Sequence, residues 1–186
     1  MTIYIHGFGG SGEGVKAKLF REYFKNIGKL FIAPSLSYVP ELAIKTLEEL
    51  IESYDDVTLI GSSLGGYYSI YFSQKYNIKA SLLNPSIHPT ITLKNSIGNA
   101  PSFYDLSSFK WGQTHLAMLG NIKTKVEKPE LIMLLVQKGD DLLDYREALM
   151  YLPSSHQIVE DGGSHSFEGI EKQFENIVEF LHNKSE

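Results

Sequence analysis

Five residues, Gly61-Ser62-Ser63-Leu64-Gly65, join the apolar run Val57-Thr58-Leu59-Ile60 to the segment Gly66-Tyr67-Tyr68-Ser69-Ile70-Tyr71-Phe72. The run reads as a buried strand and the segment after it as a helix. A G-x-S-x-G pattern at such a junction makes a nucleophile elbow, a strained turn that lifts a serine Oγ clear of both elements. A Cβ at Gly61 or Gly65 would collide with the neighbouring strand or helix, which is why glycine stands at both. Ser63 is therefore the candidate nucleophile.

The elbow sits within a regular alternation. Thr2 to His6 reads as a short strand ending in glycines, and Val15 to Asn26 as a helix with Leu19, Phe20, Tyr23, Phe24 and Ile27 on one face. Leu30 to Ala33 is a second strand, stopped by Pro34. Pro40 opens a helix at its first position, with Ile44, Leu47, Leu50, Ile51 and Tyr54 at helical spacing. Further strands are expected at Val57 to Gly61, Ala80 to Leu83, Leu131 to Val136 and, with the weakest pattern, Gln157 to Val159. A final helix is expected over Phe167 to His182, striped by Ile170, Phe174, Ile177, Val178 and Leu181.

Strands apolar on both faces imply a parallel sheet covered by helices on both sides. Repeated β-α-β then predicts an α/β fold with a doubly wound, mostly parallel sheet in a single domain over residues 1–186. Residues 85–130 break the rhythm, with little strand signal and a helix expected around Phe109 to Ile122. That segment is either a small cap insertion over the site or an extended crossover.

Composition narrows the classes. At 186 residues the chain is long enough to bury a core without staples, and its net charge of -5 gives no reason to expect nucleic acid or anionic membrane as a partner. No stretch approaches the roughly 20 apolar residues that span a bilayer. The absence of cysteine excludes disulfides, thiolate metal sites and a Cys nucleophile. With no basic n-region or cleavage site at the start, the chain reads as non-secreted and cytoplasmic.

A serine hydroxyl near neutral pH needs a general base, and histidine suits that task. Of six histidines, His165 lies in Gly162-Gly163-Ser164-His165-Ser166-Phe167, a glycine loop between the last strand and the last helix. In the order Ser…Asp…His that is the place of the base. His182, His156, His88 and His115 fall on the tail helix or in connecting segments and are not assigned the role. The acid that orients the imidazole is expected after the preceding strand, in Gln137-Lys138-Gly139-Asp140-Asp141-Leu142-Leu143-Asp144. Asp140, directly after the glycine turn, is the first candidate. Asp144 comes second and is better suited to cap the helix Tyr145 to Leu152, while Asp141 is expected to be exposed.

The developing oxyanion needs preorganised N–H donors. The Leu64 amide, next to the serine at a helix N-terminus, is one. The second is expected from His6-Gly7-Phe8-Gly9-Gly10-Ser11, where His-Gly-x-Gly matches an oxyanion loop. Phe8 is named as the donor, with Gly9 as fallback and His6 as a brace for the loop. The same glycines satisfy the dinucleotide fingerprint G-x-G-x-x-G, but the next strand ends Ala33-Pro34-Ser35-Leu36 without the acid that would hold a ribose. No metal or cofactor is implied. Phe8, Tyr67 and Trp111 are candidates for an acyl pocket, with core or cap packing as the alternative.

These pieces together resemble a compact α/β-hydrolase of the YqiA-like esterase family. The resemblance is carried by Ile3-Tyr4-Ile5-His6-Gly7-Phe8, Gly61 to Tyr68, Asn84-Pro85, Gly139 to Tyr145 and Gly162 to Phe167. It implies a shortened fold beginning at the His-Gly strand, a triad of Ser63, Asp140 and His165, and hydrolysis of small-molecule acyl esters or thioesters. A peptidase with the same triad, or a non-catalytic binding module on the same fold, are the alternative readings.

Overall fold

The structure, a computed structural model, describes residues 1–183. Strands β1 (Thr2–Ile5), β2 (Phe31–Ile32), β3 (Thr58–Ser62) and β4 (Ala80–Leu83) alternate with helices α1 (Val15–Asn26), α2 (Pro40–Glu52) and α3 (Leu64–Tyr76). An inserted stretch then carries α4 (Pro89–Thr92), β5 (Gly98–Pro101), β6 (Ser108–Trp111) and α5 (Gln113–Gly120). The chain closes with β7 (Ile132–Gln137), α6 (Tyr145–Tyr151), β8 (His156–Glu160) and α7 (Phe174–His182).

Six strands form one sheet in the order β2-β1-β3-β4-β7-β8, every pair parallel. Alternating side chains sort onto its two faces, as the pleat requires. Ile3, Ile5, Leu59, Leu82, Ile132, Leu134 and Val136 meet α2, α3, α5 and α6 on one side. Tyr4, Ile60, Leu83, Met133 and Leu135 meet α1 and α7 on the other. The expected doubly wound sheet is present. Because β2 and β3 flank β1 on opposite sides, the chain reverses its winding there, and a crevice opens at the carboxyl ends of the strands.

Helix α3 is buried almost all round, from Leu64 through Ser73 apart from Tyr71. Such a helix belongs to an interior, not a surface. On α2 the buried residues are Pro40, Ala43, Leu47 and Ile51, while Tyr54 lies beyond the helix and is exposed. Ile44 and Leu50 pack partly buried against the same core.

Two expectations are corrected. The inserted stretch contains strands: β5 and β6 pair antiparallel, Gly98 opposite Trp111 through Pro101 opposite Ser108. The helix there spans only Gln113–Gly120, because Ser108-Phe109-Lys110-Trp111 alternates and its two aromatic residues turn together onto Phe8. The last helix begins at Phe174, after a 3₁₀ turn over Ile170–Gln173. Phe167 (φ 60°) is instead a buried plug in the loop before it. The apolar stripe Ile170, Phe174, Ile177 and Leu181 still faces inward.

Among the described residues no helix is long and apolar enough to cross a membrane. Phe20 holds the α1–α7 face together, fully buried with its ring 4.7 Å from Phe174 and 5.8 Å from Tyr4. Replacing it by alanine is expected to cost about 3–5 kcal/mol of stability, read from the midpoint of urea denaturation at an unchanged slope.

Candidate active site

Ser63 caps α3 with φ 54° and ψ −118°, outside the regions open to ordinary residues. Such a conformation costs roughly 1–3 kcal/mol and persists only where its surroundings over-determine it. Here Ser63 N–H donates to the Leu83 carbonyl (3.1 Å), and the Ser63 carbonyl accepts from Gly66 (2.9 Å) and Ser86 (3.0 Å). The turn also requires α3 to start hard against β1. A Cβ on Gly65 would occupy the space of the Ile5 carbonyl, and one on Gly61 the space of the Gly65 carbonyl.

The loop after β8 brings His165 to this turn. Its Nε2 lies 3.0 Å from Ser63 Oγ, and its Nδ1 lies 2.8 Å from Asp140 Oδ2. With the Nδ1–H donating to the carboxylate, Nε2 is left to accept the serine proton. The Asp140 side chain is 2% exposed, and its Oδ1 accepts from the Leu142 and Leu143 amides at 2.9 Å each. Burial pulls this carboxyl upward. The hydrogen bonds from His165, Leu143 and Leu142 outweigh it and hold the group below the usual carboxylate value. Asp144 faces elsewhere: it accepts from the Arg146 amide at the start of α6 and pairs with the Arg146 guanidinium at 2.8 Å. Asp141 is exposed, as expected.

Two buried amides to which the sequence reading gave no role hold the histidine loop. Gln137, at the end of β7, accepts from Ser164 N–H (3.2 Å) and Glu168 N–H (2.9 Å) and donates to the Glu168 carbonyl (2.7 Å) and Glu160 Oε2 (2.7 Å). It thus clamps the loop on both sides of His165. Asn84, at the end of β4, donates to the Ser164 carbonyl (2.9 Å) and accepts from Gln137 N–H (2.9 Å). Gly163 (φ 75°) lies flat against the Gln137 carboxamide, where any Cβ would overlap it. A polar residue closing the apolar run Leu131 to Val136, and Asn before Pro85, were the available signals.

The loop after β1 lies on the other side of the serine. A Cβ on Gly7 would come within 3.1 Å of that of Ser63. The Phe8 N–H has no protein acceptor among the described residues, and the Leu64 N–H opens α3, where no intrahelical carbonyl is available. His6 braces this loop: its Nε2 accepts from Leu36 N–H at 3.0 Å, so its Nδ1 carries the proton given to the Gly7 carbonyl at 2.8 Å. The inserted hairpin adds a second brace, with Phe103 N–H donating to the Gly9 carbonyl at 2.8 Å. The Phe8 ring packs edge-on against Trp111 (4.8 Å) and Phe109 (5.4 Å).

A cavity of about 850 Å³ opens over Ser63 and His165, walled in part by Phe8, Val15, Leu19 and Phe103. Lys16 also lines it and donates to the Ser166 carbonyl at 2.7 Å. Burial pushes its ammonium down to about 8, against an upward pull from Asp140. Of the three aromatic candidates for a pocket wall, only Phe8 faces this space. Tyr67 donates to the Leu119 carbonyl and Trp111 to the Leu93 carbonyl, both as packing residues.

Solved structures with this architecture include mouse alpha/beta hydrolase domain-containing protein 10, with a TM-score of 0.78 at 16% identity over 97% of this chain and 88% of that one. A monoacylglycerol lipase of Paleococcus ferrophilus gives 0.68 at 17% identity, over 97% and 93%. The fold is that of an α/β-hydrolase. A profile of the Uncharacterised protein family UPF0227 matches residues 1–182, and the chain belongs to that family. One curated relative, a UPF0227 protein of Vibrio parahaemolyticus, is 24% identical over 186 residues, covering 97% of this chain and 98% of its own.

The brace at His6 makes a pH prediction. Burial lowers its pKa from 6.5, with the bond to Gly7 pulling weakly the other way. Below about 6.5 the unfolded chain binds a proton that the folded imidazole refuses, so stability is expected to fall as pH drops from there towards the folded value. Urea denaturation at neutral and mildly acidic pH measures this. In His6→Gln that share of the pH dependence is expected to vanish, and identical pH slopes in both chains would refute it.

Proposed function

We propose that the protein is a serine hydrolase that cleaves carboxylic esters through an acyl-enzyme. The observation that carries this reading is the continuous chain Ser63 Oγ, His165 Nε2, His165 Nδ1 and Asp140 Oδ2, with links of 3.0 and 2.8 Å, at the mouth of a cavity. Ser63 is the nucleophile, His165 the general base and acid, and Asp140 the group that holds the tautomer and stabilises the imidazolium. The Leu64 and Phe8 amides supply the oxyanion hole.

In this mechanism His165 Nε2 takes the hydroxyl proton as Ser63 Oγ bonds to the carbonyl carbon, and the carbonyl oxygen becomes an oxyanion. Collapse breaks the bond to the leaving oxygen, which receives the proton from Nε2, and the alcohol departs. Water then attacks the acyl carbon and gives a proton to Nε2. Collapse of the second oxyanion breaks the bond to Ser63 Oγ, which recovers that proton, and the carboxylic acid leaves. Each step uses only water and groups of this chain.

Three substitutions test the roles against p-nitrophenyl butyrate. Ser63→Ala is expected to lose on the order of 10⁴-fold or more in kcat and all labelling by a fluorophosphonate probe. Asp140→Asn is expected to lose on the order of 10⁴-fold, since the amide favours the wrong tautomer. Asp144→Asn, which touches only the α6 cap, is expected to keep its activity. Hydrolysis at the wild-type rate by Ser63→Ala would sink the mechanism.

The clamp on the histidine loop generates a separate expectation. Gln137→Leu keeps the volume but removes both acceptor bonds, so His165 loses its fixed placement. The expected result is a fall in kcat of about 10²-fold with KM little changed. A change in KM alone would argue against the positioning role.

A further inference from the structure

Among the described residues, Lys16 is the only lysine or arginine in the wall of the cavity that holds Ser63 and His165. It projects from the first turn of α1, which is a fixed platform. Ala17 and Phe20 are buried beneath that helix, and a Cβ on Gly12, just before it, would occupy the space of the Ala33 carbonyl. From there the Lys16 ammonium donates to the Ser166 carbonyl at 2.7 Å. No other group among the described residues donates to that carbonyl.

The histidine loop needs outside support. Gly162, Gly163 and Phe167 all have positive φ, and between Gly162 and Glu168 the main chain makes one bond to itself, from the Phe167 N–H to the Ser164 carbonyl (3.0 Å). Gln137 and Asn84 hold Ser164 and Glu168 from the sheet side. Ser166, the residue after His165, bonds to neither of them and is held from the side of α1.

We propose that Lys16 is a positioning residue for the reaction: by fixing the Ser166 carbonyl from α1, it sets the His165 imidazole against Ser63 Oγ. This role rests on the serine-hydrolase reading above and adds to it. The sign of the charge separates placement from electrostatics. A cation beside the triad opposes the imidazolium that forms when His165 takes the serine proton. Were charge the main effect, removing the ammonium would speed the reaction. Loss of placement slows it.

The groups around the ammonium are acidic, yet none is paired with it. Burial brings Lys16 down to about 8, against an upward pull from Asp140. Asp141, Glu168 and Glu171 border the same cavity, and Glu13, just before α1, pairs with Arg21. Among the described residues no carboxylate lies within 4.0 Å of Lys16 Nζ. Tyr4 and His6 also border the cavity; burial raises the first and lowers the second, both away from that range. At higher pH Lys16 becomes an amine, whose bond to the carbonyl is roughly half as strong as a charge-assisted one.

The experiment measures kcat and KM on p-nitrophenyl butyrate across neutral to mildly alkaline pH, with Ser63→Ala as background. Lys16→Met keeps the stem and removes the donor. At neutral pH it is expected to lower kcat about tenfold with KM little changed, while its urea midpoint stays near that of the wild type. Lys16→Arg keeps a charged donor and is expected to retain most of kcat. In the wild-type chain kcat is expected to decline as pH rises through about 8, and in Lys16→Arg that decline is expected to vanish, because a guanidinium stays charged. Turnover that depends on Ser63 but is unchanged or faster in Lys16→Met overturns the positioning role and leaves the serine mechanism standing. So does a loss confined to KM, or an alkaline decline that persists in Lys16→Arg. Turnover equal in Ser63→Ala, or none at all, overturns both.

Discussion

The contact between Gly65 at the start of α3 and the Ile5 carbonyl at the end of β1 is the one on which the rest of the site depends. It lets a buried helix begin one residue after a buried strand ends, and the connecting residue, Ser63, has no relaxed conformation that bridges them. The strain of φ 54° is sustained because three backbone hydrogen bonds, from β4 and the loop after it as well as from α3, hold the turn. The same approach brings the loop after β1 alongside the serine. One steric fact thereby sets both the exposure of a hydroxyl and the nearness of free N–H donors.

The opposite side of the site is held by polar groups. Loops that leave the ends of β7 and β8 would be free to move if only packing restrained them. Gln137 and Asn84 restrain them instead, with seven hydrogen bonds between them to the chain around His165, β7 and β8, counting the longer one from Asn84 to the His165 carbonyl. Buried amides are expensive unless every donor and acceptor is met, and here they are met. An alkyl side chain at either position would leave several loop amides and carbonyls without partners. The network therefore specifies one loop conformation more sharply than an apolar contact could.

The inserted stretch bears on the site through the loop after β1. Trp111 and Phe109 receive the Phe8 ring, and the Phe103 amide holds the Gly9 carbonyl, so the hairpin adds to the hold that His6 has on this loop. The hairpin thus supports the loop after β1, while Ser63, Asp140 and His165 follow strands of the main sheet.

Read alone, the sequence determined the alternation of strands and helices, the strained serine turn and the glycine loop that carries His165. These are local matters: apolar period, close backbone approach and chain order are written in neighbouring residues. The preference for Asp140 over Asp144 drew on the glycine turn before the one and the helix start after the other, together with the resemblance to α/β-hydrolases. What only the tertiary structure decided was which distant groups meet. The β5–β6 hairpin is stabilised by contacts to Phe8, about a hundred positions away, so its four-residue strands carry too faint a pattern of their own. The role of Gln137 and Asn84 is not legible in the chain because their partners are mostly main-chain groups, which every residue has. The start of the last helix shifted for a similar reason, since Phe167 is buried in the cluster of Tyr4, Ala17 and Phe20 from a loop, which no periodicity along α7 could reveal. Hydrogen bonds to the backbone and the filling of space are collective properties of the fold, and they become visible only once it has closed.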